Sequence, residues 1–102
     1  MKIKTLLGEW EVKLTDDPEK LRVNGTVGKG AVHYKERKVY VDSRINLPDR
    51  AKVLRHEFTH VTLYETQLDL NMEYEEEDLC ELIAKYGEYI VELTRDILKK
   101  LG

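Results

Sequence analysis

The segment His56-Glu57-Phe58-Thr59-His60 lies inside a stretch, from Arg50 to about Gln67, that no glycine or proline interrupts. Pro48-Asp49 stands just before it, a proline favoured at a first helical position and an aspartate suited to the positive end of a helix dipole. Val53, Leu54, Phe58, Val61 and Leu63 recur at near-helical spacing, so this stretch is expected to be a helix with one face packed on a core. That single expectation restricts the rest of the chain, which must supply the surface that covers the apolar face.

The same helix restricts the chemistry. Residues four apart share a helical face, so the imidazoles of His56 and His60 can reach one metal ion, and Glu57 is placed to act on a water at that ion. A histidine pair of this kind is the nitrogen half of a zinc site, with the glutamate as general base and acid. Such a catalytic site needs a third protein ligand and an open position for water.

The flanking segments predict an α+β fold. Glu9 to Leu14 alternates polar and apolar, a strand that turns Trp10, Val12 and Leu14 inward. Asp16-Asp17-Pro18 predicts a short helix or turn, and the glycine-rich 24–30 segment a connection, since it lacks the spacing of a phosphate loop. Ala31–Tyr34 and Val39–Asp42, separated by four charged residues, read as a hairpin. The expected architecture is a small antiparallel sheet of about three strands, packed on the histidine helix and on a C-terminal helix running from near Tyr74 almost to the end. Residues 68–72 form the connection. On the last helix Leu79, Ile83, Tyr86, Ile90, Leu93 and Ile97 predict the buried stripe, and Glu81, Lys85, Glu88 and Glu92 a solvated face.

The acidic start of that helix, Glu73, Glu75, Glu76, Glu77 and Asp78, is where an antiparallel partner helix would meet the histidines. Glu77 shares a stripe with Cys80, Ala84 and Val91, which predicts that it points inward. Periodicity ranks Glu77 first as third ligand, Glu76 second, Asp78 third and Glu81 fourth. Acidic residues at a helix start are also what the dipole favours without any metal. Glu81, one turn on, is a candidate to orient a ligating histidine through its second ring nitrogen. His33 and Cys80 are possible ligands by type, although a strand histidine more often faces solvent.

The 102 residues bound one domain over 1–102. Lys+Arg 17 against Asp+Glu 20, interspersed with no basic block, argues against nucleic acid as a partner. The first eight residues are too short an apolar run for a signal peptide, and no stretch is long enough to span a bilayer; the expected setting is cytoplasmic and away from membranes. Cys80 is the lone cysteine, which excludes an internal disulfide. Charged residues at 36% match proteins of hot environments.

With the histidine pair on one helix and a glutamate on the next, the chain resembles the gluzincin metallopeptidases, and in its order of small sheet, glycine-preceded hairpin, zinc helix and glutamate helix it looks like the compact minigluzincins. It is also similar to ImmA/IrrE-type domains. The first resemblance implies a zinc endopeptidase acting on a protein or peptide, with His56, His60 and Glu77 as ligands, Glu57 as base and acid, and Glu81 where many relatives carry an aspartate. It implies a transition-state stabiliser as well, for which Tyr34, Tyr64, Tyr74 and His33 stand without a spacing rule to choose. Minimal gluzincins are also zymogens, so the 98–102 tail or the first eight residues are expected to cover the cleft. The second resemblance implies a zinc-bound regulatory domain with little proteolysis.

Overall fold

The computed structural model describes residues 1–66 and 76–101. The connection expected over 68–72, the helix start near Tyr74, and Glu73 and Glu75 lie outside the described residues, as do the side chain of Glu76 and Gly102. The fold is α+β, as expected. Six strands, β1 (Lys2–Lys4), β2 (Glu9–Thr15), β3 (Arg22–Val23), β4 (Thr26–Val27), β5 (Gly30–His33) and β6 (Lys38–Asp42), precede helices α1 (Leu47–Thr66) and α2 (Glu76–Leu101).

The main sheet has four strands in the order β1-β2-β6-β5, one more than expected, and β2 pairs with β6 in parallel, Val12 opposite Val39 and Leu14 opposite Val41. The extra strand is β1, antiparallel to β2, and it forms the edge remote from β5. The hairpin expected over 31–42 is present as β5 and β6. Trp10 and Val12 are buried, whereas Leu14, at the end of the same face, is 36% exposed.

Of the two connections, the first is as expected and the second differs. The 16–22 segment is a turn: the Asp17 carboxylate accepts from the Glu19 amide at 2.9 Å and the Asp17 carbonyl from the Lys20 amide at 3.1 Å, satisfying locally the groups a helix would have used. The glycine-rich segment carries a second small sheet, β3 paired with β4 around Asn24-Gly25. Both turn residues have positive φ, 50° and 81°, as a two-residue hairpin turn requires.

Helix α1 starts one residue before Pro48, and the cap is Asn46, whose side-chain oxygen accepts from the Asp49 amide at 2.9 Å. Leu54, Phe58 and Val61 face the sheet, and with Trp10, Val12, Val39, Val41, Leu93 and Ile97 they make one core.

Helix α2 presents a face rotated from the one its apolar spacing suggests. Ile90, Leu93 and Ile97 are buried as expected, but the rest of the covered face is Leu82 and Thr94, while Leu79 and Ile83 are 48% and 65% exposed. The side carrying Glu77, Cys80, Ala84 and Val91 faces solvent. Glu77 therefore does not turn inward as its stripe predicts: the core selects the bulkier Leu82, and the small residues remain at the surface. Glu81, Lys85, Glu88 and Glu92 are exposed as expected. Among the described residues no helix is long and apolar enough to cross a membrane.

Candidate metal centre and cleft

His56 and His60 stand one turn apart on the rim of α1 beside β5. The histidine rings lie 5.0 Å apart between centroids, and both residues are exposed. Glu57 sits between that rim and the core and is only 7% exposed, with one carboxylate oxygen 3.9 Å from His56 Nε2. Burial, which disfavours the charged form, pushes the Glu57 carboxyl up from 4.5 to about 7.

Strand β5 closes over Glu57 because residue 30 is glycine. A Cβ on Gly30 would stand 2.5 Å from Val53 Cγ1 and 3.0 Å from Glu57 Cγ, so any side chain there would push the strand off the helix. This contact divides the open space beside α1 into two cavities that share Gly28, Gly30, His56 and Glu57. One, of about 440 Å³, continues along Leu21, Val23, Val32 and Tyr34. The other, of about 340 Å³, continues along Lys29, Asp49 and Lys52. Glu57 lies where they meet.

The alternation of β5 sorts the expected participants. Gly30, Val32 and Tyr34 line the cleft, whereas His33, of opposite parity, has Nε2 2.8 Å from the Lys20 carbonyl oxygen and its ring 4.8 Å from Tyr40. His33 thus serves the far side of the strand and is not at the site. Tyr34 is at the cleft, its ring 4.8 Å from Tyr64, and both rings stand edge-on to Trp10 at 6.3 and 6.1 Å. Arg37 holds the turn that follows. Its Nε donates to the Glu9 carbonyl at 3.1 Å, its guanidinium reaches buried Glu65 at 3.4 Å, and it lies over the Trp10 ring at 4.8 Å. Tyr74 lies outside the described residues.

Glu77 is exposed on the first turn of α2, and Cys80 is exposed and unpaired with another cysteine. Asp78 and Glu81 line a separate cavity with Thr66 and Tyr86, and Glu81 lies 3.9 Å from Lys85. Among the described residues no three His, Cys, Asp or Glu side chains are gathered where they could hold a metal; the histidine pair and Glu57 come together, and Glu77, Asp78 and Glu81 do not join them. Two exposed imidazoles one turn apart, opening on a cleft beside a carboxyl, fit the nitrogen half of a zinc site.

Part of each terminal segment is engaged elsewhere. Strand β1 lies on the sheet edge opposite β5, and Leu98 and Leu101 pack against the core. The cleft residues that the spacing of the histidine motif does not announce are Lys29, Gly30, Val32 and Lys52. The signals that could have found them are the period-2 parity of β5, which groups residues 30, 32 and 34, and the Asn-Gly turn signature that folds β3 and β4 toward the same side. No family model, curated protein or solved structure matches this chain.

Proposed function

We propose that this protein is a zinc-dependent endopeptidase, working in the cytoplasm on protein or peptide substrates. The observation that carries the reading is the position of Glu57: a buried carboxyl at the meeting point of two open cavities, on the same helical turn as two exposed histidines. His56 and His60 would hold the ion; Glu77 as third ligand and Glu81 as the residue that orients a histidine are proposed on the resemblance to gluzincins, since both stand apart from the histidine pair in this structure. Bound zinc supplies an acidified water and a Lewis acid for the peptide carbonyl.

The chain's own groups do the remaining work. The Glu57 carboxylate accepts a proton from the water whose oxygen attacks the carbonyl carbon, and it returns that proton to the amide nitrogen as the carbon–nitrogen bond breaks. Burial suits both halves of this cycle, because it keeps bulk water from competing for the proton that the carboxyl takes and gives. The cleft beside β5 orients the substrate backbone, and the bulk of α1 and the sheet excludes water from the core side of Glu57.

Purified wild type, Glu57→Gln and Glu77→Gln test the reading by zinc content and by cleavage of an unfolded protein with and without chelator. Glu57→Gln is expected to keep one zinc per chain and lose at least about a hundredfold in cleavage rate. Glu77→Gln is expected to lose zinc affinity by about tenfold or more, as removal of a ligand does at least as severely as removal of its supporting partner. Cleavage by Glu57→Gln at the wild-type rate would falsify the reading. Zinc binding without chelator-sensitive cleavage by the wild type would favour the regulatory, ImmA/IrrE-like alternative.

A further inference from the structure

The two cavities that meet at Glu57 differ in the residues they do not share: the larger adds apolar side chains together with Asn24, Thr26 and His60, and the smaller adds two lysines and Asp49. The larger is walled by Leu21, Val23, Val32 and Tyr34, and Val23 and Tyr34 leave apolar surface in water, 46% and 36% exposed, which a covering apolar group removes favourably. The smaller carries two ammonium groups, Lys29 and Lys52, against the one carboxylate of Asp49 besides Glu57. Both lysines are exposed, and among the described residues neither takes part in an ion pair. Cavities of about 440 and 340 Å³ fall in the lower part of the range of ordinary ligand sites, enough for one large side chain each.

We propose, resting on the endopeptidase reading above, that the cleft selects polypeptide segments with a large apolar side chain on one side of the cleaved bond and an acidic side chain on the other. The apolar residue lies against Val23, Val32 and Tyr34, and the acidic residue is held by Lys29 and Lys52. His56, which lines both cavities, marks where the backbone crosses from one to the other, outside the contact of Gly30 with Glu57. A basic residue in the second position meets two like charges and is disfavoured.

The test uses the full chain and a set of fluorogenic peptides with Leu or Ala on one side of the central bond and Glu, Gln or Lys on the other. Catalytic efficiency is measured with the wild type, and affinity with Glu57→Gln by fluorescence anisotropy, so that binding is read independently of hydrolysis. The Leu/Glu peptide is expected to exceed the Leu/Lys peptide about threefold to tenfold in both measurements, the size that two exposed ion pairs support. The double charge reversal K29E/K52E, on exposed positions away from the core, is expected to reverse the preference. Cleavage with no dependence on these residues leaves the peptidase reading standing and overturns the proposal. Selective binding without cleavage supports the proposal and overturns the peptidase reading. Absence of both binding and cleavage overturns the two together.

Discussion

Glu57 carries two demands on one side chain, since it must be close to water to exchange a proton and is packed to 7% exposure. The second demand has a thermodynamic consequence in the metal-free protein. An unfolded glutamate titrates near 4.5, and the folded one near 7, so between those values the folded state holds a proton that the unfolded state has lost. The sign follows: this contribution to stability is full below the unfolded value and is lost as pH rises through the folded one. With metal chelated, the wild type is therefore expected to lose stability relative to Glu57→Gln between about pH 5 and pH 8, by on the order of 2–3 kcal/mol at most. Urea midpoints of the two proteins at several pH values measure it; a difference that stays constant with pH would refute the burial argument. The sequence places Glu57 on the right face by helical spacing alone. It does not reveal the burial, which depends on Gly30 letting β5 come into contact, a contact between residues far apart in the chain.

Elements were legible to the extent that their cause is local. Helix α1 follows from an uninterrupted apolar period and the Pro48-Asp49 start; strand β2 follows from alternation; the β5–β6 hairpin follows from two β-rich runs around a charged turn. The parallel pairing of β2 with β6 has no local signal, because it joins strands separated by the turn, the β3–β4 hairpin and β5. The rotation of α2 is of the same kind: Leu79, Ile83, Leu82 and Val91 are all apolar, and periodicity cannot tell which of two adjacent stripes the core covers. The structure makes that choice testable. Leu82 is 3% exposed and Ile83 65%, so Leu82→Ala is expected to cost about 2–5 kcal/mol, as truncation of a covered leucine does. Ile83→Ala is expected to stay within about 0.5 kcal/mol of wild type. Chemical denaturation of both variants gives the answer, and equal losses would mean that α2 is turned differently. That rotation also bears on the site, since it sets where Glu77 and Glu81 stand relative to α1.

At the scale of the whole molecule the histidine motif is inseparable from the core. Phe58 sits between His56 and His60 in sequence and is fully buried in a cluster that joins Trp10 and Val12 of β2, Val39 and Val41 of β6, and Leu93 and Ile97 of α2. Phe58 thus belongs to the one core that joins the sheet, the histidine turn and the second helix. Phe58→Ala is expected to cost about 3–5 kcal/mol, a large share of the roughly 5–15 kcal/mol available to a domain, and to lower the melting temperature by about 12 °C or more. Trp10, the only tryptophan and 1% exposed, reports the sheet–helix interface by fluorescence, while far-UV circular dichroism reports mainly α1 and α2. Because one core serves all three, the two signals are expected to melt together in both wild type and variant. The zinc binding proposed for the histidine pair is expected to disappear over the same temperature range. If the helices of Phe58→Ala melted well after the tryptophan signal, the sheet and the metal helix would be separate cooperative units, and the close coupling between β5, Gly30 and Glu57 would have to be maintained by the cleft contacts alone.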